Sequence, residues 1–596
     1  MTKDFEYKAP SLSIDIQGFK DNLFRKNRFW RAFIVMQIIT VLLGINALRL
    51  VQLQIIQGVE NRQKAENNRV RLVPLMANRG RILDRNGQTL AATQLSSAVY
   101  VWPREESVAQ WKITARQLGN LLNMSPETIL EQIEKHGFKS AVPLKLRGDL
   151  DYKTIIALTE NSTDLPGIEI RVEPSRFYPY QNLASHILGY IGAASLDELK
   201  AHPEYPMGTL TGKMGIESHE NNVLQGVAGN RLIEVNAQGE EIKELGMQQA
   251  IAGKPVKLTI DLALQKTTEE AMKWHQGAAV AMNVKTGEIL ALVSKPDFDP
   301  NLFTGKMSQS QWAELQASNK PFLNRALQGY PPGSTFKIVT TAAALNSGMY
   351  YPEDQLYSYS SINIGGISFN EHGQGYGLID FPKALAVSSN TFFYQVGTKT
   401  GPENIAKWGK ELGLAGKIDL DLLGLDGANH GQIPTPAEKM AMYGEPWHIA
   451  DTVTMGIGQG LVLVTPVELA TMISTIVNGG YRVQPHLLSS LTNTAKTQPI
   501  KTNLSPASLN VIKNGLVEVV KNGTGRSLND GSIPLTGGKT GTVEIPGQPD
   551  NAMYVAYGPA DNPQIAIAVV VEQGGYGAVS AIPVAHEMFK TYFKKR

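Results

Sequence analysis

Pro331-Pro332-Gly333-Ser334-Thr335-Phe336-Lys337 runs directly into the apolar stretch Ile338 to Leu345, which Gly348 stops. The prolines set a sharp approach and Gly333 leaves room over the next residue, so Ser334 is expected at the start of a helix. Free backbone N–H groups and the helix dipole favour negative charge there. Lys337 follows three residues later, which places its amine one turn below on the same face. A serine hydroxyl is a poor nucleophile unless a base stands within hydrogen-bond reach. A lysine becomes such a base when burial and nearby cations lower its pKa. Taken alone, the same residues also describe a serine N-cap with a lysine in its first turn.

Two later clusters complete a set. Ser388-Ser389-Asn390 precedes Thr391-Phe392-Phe393-Tyr394. Ser388 offers a hydroxyl that can bond a lysine amine and relay a proton, and Asn390 offers a donor and an acceptor to a peptide. Lys539-Thr540-Gly541-Thr542 follows Gly537-Gly538 in an extended stretch. Glycines in a strand let another backbone come close, and such an edge can bind a peptide as an added strand. Lys539 and Thr540 supply a cation and a hydroxyl for a terminal carboxylate. Each cluster alone reads equally well as a turn or a cap; their order together is what is specific.

Working outward, Asp261 can cap a helix running to Trp274, and Ala278–Met282 and Glu288–Ser294 read as strands around the turn Lys285-Thr286-Gly287. Leu535–Glu544, Met553–Tyr557 and Ile565–Val571 read as three more strands, the last two joined through Pro559 to Pro563, before a final helix Ile582–Phe593. Between the two groups lies a mainly helical insertion, about 300–525. Strands at both ends with helices between predict an α+β domain: an antiparallel sheet closed by the two chain ends beside a helical subdomain. Upstream, from about 60 to 255, the pattern is mixed. Asp84-Arg85-Asn86-Gly87 predicts a hairpin with the positive φ angles of an Asn-Gly turn. Ser125-Pro126 opens a helix through Glu134 that Gly137 ends. Glu173 to Tyr180 is extended, and Gly212 to Gln225 helical.

Phe29 to Val51 is the most apolar stretch, with no charge from Ala32 to Leu48, and it is just long enough to span a bilayer. Lys20, Arg25, Lys26, Arg28 and Arg31 precede it, whereas Arg49 is the only base close behind it before Arg62. The positive-inside rule keeps the N-terminus in the cytoplasm and exports the rest. No small-x-small cleavage site follows the run, which argues for an anchor over a signal peptide. The expected layout is a cytoplasmic tail 1–28, a transmembrane anchor 29–51, a non-catalytic pedestal 60–255 and a catalytic domain 256–596. The chain has 596 residues, 42% hydrophobic and 18% charged, enough for a sizeable core. A net charge of +2 points to no nucleic-acid partner, and the lack of cysteine excludes disulfides, thiolate metal sites and cysteine nucleophiles.

S-x-x-K, S-x-N and K-T-G in this order resemble the signature set of penicillin-binding proteins and serine β-lactamases. Asn78-Arg79-Gly80-Arg81-Ile82-Leu83-Asp84-Arg85-Asn86-Gly87 resembles the first pedestal motif of the class B branch. Gly212-Lys213-Met214-Gly215-Ile216-Glu217 resembles the later one, with Ser218-His219 departing from it. Tyr330 to Ser334 and Val555 to Ala560 are more similar to the elongation type (penicillin-binding protein 2) than to the septal type. The resemblance implies a five-stranded antiparallel sheet in the catalytic domain and a serine D-Ala-D-Ala transpeptidase. Ser334 would attack the carbonyl between two terminal D-alanines, with Lys337 as base and Ser388 as proton relay. The N–H groups of Ser334 and Thr542 would hold the oxyanion, Asn390 and Lys539 would complete the catalytic set, and Thr540, Gly541 and Thr542 would bind substrate. β-Lactams would be trapped on Ser334.

The same resemblance implies no cofactor. Some elongation-type relatives hold a zinc near the second motif. Glu371-His372-Gly373 lies in that region, but there is no cysteine and a lone His in a Gly-rich loop reads as polar surface, so no metal is expected. Implied partners are stem peptides, β-lactams, the membrane and elongation-complex proteins, above all a SEDS-family glycosyltransferase contacting the anchor and the pedestal near Arg79–Arg85. Two alternatives remain at this point: a DD-carboxypeptidase or endopeptidase using water, and a non-catalytic β-lactam sensor or scaffold.

Overall fold

The computed structural model describes residues 16–594 apart from 141, 237–240, 306, 308, 417–419 and 421–430. The first fifteen residues of the expected tail therefore lie outside the described residues. Two compact units divide the chain, Met1–Pro74 with Asn230–Gln248, and Leu75–Gly229 with Gln249–Arg596.

In the first unit, helix Ile16–Val51 continues through a π-helical turn, Gln52–Ile56, into helix Gly58–Arg69. Phe29–Ile56 is long and apolar enough to cross a membrane, and none of its residues is buried. Strands Val70–Leu75, Gly229–Val235 and Glu241–Gln248 form a three-stranded sheet in that order.

Residues 75–229 of the second unit are built around strand Thr89–Val101. It pairs antiparallel with Ile168–Phe177, from Ala92 opposite Phe177 to Val101 opposite Ile168, and with Leu144–Arg147. Helices Val108–Leu122 and Pro126–His136 close over it with Trp111, Leu118, Ile129 and Ile133 in a separate core. Ser125 caps the second helix at the Thr128 N–H and Gly137 ends it, as expected. The expected helix Gly212–Gln225 is instead two short pieces, Gly215–His219 and Asn221–Leu224. At the hairpin, only Gly87 of the Asn-Gly pair has a positive φ, +86°. The turn is closed by Asp84, whose carboxylate accepts the N–H groups of Asn86 and Gln88 at 2.8 Å.

The stretch 79–85 is partly interior, with Arg81 exposed and Leu83 and Arg85 half-buried. Arg79, Gly80, Ile82 and Asp84 are buried. Glu217, fully buried, receives Arg79 Nε at 2.5 Å, Arg176 Nε at 2.7 Å and Tyr178 Oη at 3.1 Å, while Arg79 also reaches Asn221 and Gln225. Two guanidinium groups on one carboxylate explain why an acid sits in this interior: an unpaired charge there is far more costly than a shared one.

Residues 256–594 carry the larger domain. Strands β1 (Gln276–Asn283), β2 (Ile289–Lys295), β3 (Gly537–Ile545), β4 (Gln548–Gly558) and β5 (Ile565–Glu572) form an antiparallel sheet in the order β2-β1-β5-β4-β3. The two chain ends thus close one sheet, with β1 beside β5 along the whole register from Gln276–Glu572 to Asn283–Ile565. Helix α1 (Leu262–Ala271), capped by Asp261, ends before the expected Trp274. Further helices are α2 (Lys337–Asn346), α3 (Phe381–Val387), α4 (Asn390–Thr400), α5 (Pro466–Val477), α6 (Pro506–Asn522) and α7 (Gly577–Lys594). Helices α1 and α7 cover one face of the sheet. Every residue of α5 is buried, against β1, β4 and β5 on the other face. Helix α7 starts five residues before the expected one and carries Pro583 within it. The insertion also holds two β-ribbons that sequence periodicity does not reveal, Gln355–Ser358 with Gly377–Asp380 and Ser361–Ile364 with Ile367–Asn370. Strands this short show too little alternation to register as strands before they pair.

Candidate active site

Ser334 lies in a 3-10 turn, Gly333–Phe336, and α2 begins only at Lys337. The expected α-helical start is tightened because Thr335 donates its hydroxyl, at 2.7 Å, and its N–H, at 3.3 Å, to Pro332 O. Gly333 has φ +51° and donates its N–H to Gly458 O at 2.9 Å. A Cβ there would stand 2.8 Å from Val543 Cγ2 and 2.9 Å from Thr542 O. This close approach sets the serine turn against β3, so that Ser334 and Thr542, far apart in sequence, become neighbours. Both remain partly exposed while the residues around them are buried.

Lys337 is fully buried, and its amine reaches Ser388 O at 2.7 Å, Asn390 Oδ1 at 2.7 Å and Ser388 Oγ at 3.3 Å. Burial lowers its pKa to about 7, against the opposing pull of the Glu371 charge. Ser388 sits between α3 and α4 in the left-handed region, φ 59°, a conformation that costs a serine about 1–2 kcal/mol. That geometry turns its hydroxyl inward to both lysines: Lys539 Nζ donates to Ser388 Oγ at 2.8 Å. Lys539 is also fully buried, and burial, with Lys337 nearby, holds its pKa well below the ordinary lysine value.

Strand β3 is an edge strand, paired with β4 on one side. Thr540 shares a hydrogen bond with Thr524 at 2.6 Å. A Cβ on Gly541 would meet Thr335 Cγ2 at 3.0 Å and Pro332 O at 3.2 Å, so this glycine admits the serine turn. Gly538 serves in part the close backbone approach expected of it, with Val555 O 2.9 Å from where its Cβ would stand, but both glycines have a second use. They make space for Tyr557 and Tyr554 of β4, whose rings or hydroxyls a Cβ would strike at 2.4 and 2.2 Å.

All eight residues singled out from the sequence therefore converge. Ser334, Lys337, Ser388, Asn390 and Lys539 line a short path, with Thr540, Gly541 and Thr542 on the adjoining strand edge. His372 is exposed as expected, but Glu371 is buried and bonded to Ser389, Asn390 and Thr391. Nothing in its glycine-rich neighbourhood signals this, because the ribbon that carries it inward forms only through tertiary pairing.

The family model described as the penicillin binding protein transpeptidase domain matches residues 277–590, and that of the penicillin-binding protein dimerisation domain matches 74–258. The chain is 30% identical over 619 residues to the peptidoglycan D,D-transpeptidase MrdA of Haemophilus influenzae, covering 97% of this chain and 94% of the relative. It is 29% identical to MrdA of Escherichia coli K12, covering 92% and 91%. Among solved structures it is similar to the penicillin-binding protein PBP2 in complex with MreC from Helicobacter pylori. The TM-score is 0.77 at 28% identity, over 88% of this chain and 99% of that one.

Proposed function

This chain belongs to the penicillin-binding proteins of the elongation type, and on that premise we propose that it is a peptidoglycan D,D-transpeptidase working through a serine acyl-enzyme. The observation that carries the mechanism is the convergence of Lys337, Ser388, Asn390 and Lys539 in one hydrogen-bonded chain beside the turn of Ser334. A lysine with a pKa near 7 is substantially neutral at neutral pH and has a lone pair for the Ser334 proton. Ser334 Oγ then adds to the carbonyl between two terminal D-alanines. The N–H groups of Ser334 and Thr542 receive the oxyanion, a contribution of a few kcal/mol in comparable sites.

Collapse of the tetrahedral intermediate breaks the C–N bond, and the leaving D-alanine amine takes its proton from Ser388. Ser388 can relay it because Lys539 occupies an acceptor position on its oxygen and leaves the O–H free to turn between Lys337 and the leaving group. Asn390 and the edge of β3 at Thr540, Gly541 and Thr542 hold the donor peptide, and Lys539 supplies positive charge for its carboxylate. An amine from a neighbouring stem resolves the ester and forms the cross-link. A β-lactam would follow the first half of this path and stop as the acyl-enzyme.

The same proposal assigns the layout: tail 1–28, anchor 29–51 with the N-terminus in the cytoplasm, pedestal 60–255 and transpeptidase domain 256–596 outside the membrane. It includes a SEDS-family glycosyltransferase and elongation-complex proteins as partners. A relative of this chain is seen bound to MreC. The test of the chemistry is labelling with a fluorescent penicillin and mass mapping of the modified peptide. The label is expected on Ser334 and absent from Ser334→Ala; persistent labelling of that variant refutes the assignment.

A further inference from the structure

Glu371 follows the ribbon strand Ile367–Asn370, and its carboxylate is buried among neutral donors. Oε1 accepts the N–H groups of Asn390 at 2.8 Å and His372 at 3.0 Å. Oε2 accepts the Ser389 hydroxyl at 2.6 Å, the Thr391 hydroxyl at 3.0 Å, the Thr391 N–H at 3.1 Å and the Ser358 hydroxyl at 3.4 Å. Among the described residues no cation lies within ion-pair distance of it. Six donors on one carboxylate are enough to keep it ionised: burial alone would raise its pKa, and these bonds bring it below the usual value. The Ser389 hydroxyl caps α4 at the Phe392 N–H and Glu371 takes the N–H groups of Asn390 and Thr391, a task that a neutral acceptor could perform without the cost of burying a charge.

What this anion grips is the second motif. Its partners are the backbone of Asn390 and Thr391 and the side chain of Ser389, and these immediately follow Ser388 in its left-handed conformation. Asn390 in turn offers Oδ1 to Lys337, and its Nδ2 is 3.1 Å from His372 Nε2. We propose that Glu371 is a positioning residue of the acyl-transfer site. It holds Ser388 and Asn390 against Lys337 and places a fixed negative charge behind that base. The inference rests on the acyl-enzyme reading of Ser334 and Lys337. The groups facing this pair are His372, Tyr376 and Tyr394 around Glu371, and Lys539 beside Lys337. Glu371 itself supplies the negative charge that favours the Lys337 ammonium.

The experiment measures the rate of acylation by fluorescent penicillin against pH in the full-length chain, with thermal melting as a check on folding. Glu371→Gln loses the charge and mismatches two donors to an amide. Its acylation should slow on the order of 10²-fold, the scale expected when reacting groups are misplaced by about 1 Å. Its ascending limb should also move to lower pH, because the ammonium form of Lys337 is no longer favoured. Glu371→Asp keeps the charge, and Ser389→Ala removes one tie without touching it. Both should slow acylation and leave the limb where it is. A Glu371→Gln variant with the wild-type rate overturns the proposal, as does one slowed with an unmoved limb, which would reduce Glu371 to a structural cap. If wild type takes no label on Ser334, it is the acyl-enzyme reading that fails, independently of Glu371.

Discussion

Lys337 shows how burial can fit a common residue to the role of base proposed for it. In water a lysine is an ammonium far above neutral pH; here full burial brings it to about 7. The sign of the pH dependence follows. In the proposed mechanism the reactive form is the neutral amine, so acylation should rise about tenfold per pH unit below 7 and level off above it. A profile flat from pH 5 to 8 would remove Lys337 from the base role. Lys337→Arg keeps the positive charge but cannot deprotonate, so acylation should collapse to background while melting still shows a folded protein. The spacing of Ser334 and Lys337 made this pair legible in the sequence. The third and fourth members, Ser388 and Lys539, were legible as motif residues. Their shared hydrogen bond was not, because 151 positions separate them.

Among the elements, the turn that carries Ser334 is the most constrained. Gly333 has a left-handed φ and faces Val543 and Thr542 with no room for a methyl group. Gly333→Ala pays about 1–2 kcal/mol for that φ and must also push the turn off β3. The expected outcome is a lower melting temperature by a few degrees and a loss of acylation much larger than the loss of stability. Equal acylation in variant and wild type would show that the contact of turn and strand does not set the site. Helices capped by Ser125 and Asp261 and the strands near the C-terminus stood out in the sequence because caps and alternation are local signals. The ribbon behind Glu371 did not, since strands of four residues are defined by their partners.

At the scale of the whole molecule, the pedestal part of the second unit is fastened to the catalytic domain by polar contacts. Asp84 Oδ2 accepts the Leu262 N–H at 3.2 Å, Arg85 pairs with Glu288 at 3.4 Å, and Asn301 bonds both the N–H and the carbonyl of Tyr178. Movement of the pedestal therefore bears directly on α1 and on the end of the β1–β2 turn. The proposed partner on the pedestal would meet, within Arg79–Arg85, the exposed Arg81 and the half-buried Arg85, and Arg85 is itself one of these contacts. Reconstitution in liposomes with lipid II and a SEDS glycosyltransferase tests the partnership. The full chain should raise polymerisation, and a form lacking residues 1–255 should not. Equal polymerisation with the full chain, the truncated form and neither would reduce the pedestal to a spacer.

Legible in the residues alone were the family, the order of the three motifs, an apolar segment long enough to span a membrane and the helices capped by Ser125 and Asp261. These are written in residue types at short spacing, where a hydroxyl, an amine or a glycine acts through neighbours a turn away. Only the tertiary structure decided that β1 pairs with β5 to close the sheet, and that Gly537 and Gly538 make room for tyrosines. It alone showed that Arg79 and Arg176 share a buried carboxylate, and that Glu371 stands inside the site and not on the surface. The physical reason is the same in each case. The free energy of a buried charge or a missing side chain depends on what arrives from distant parts of the chain, and a local reading has no access to that partner.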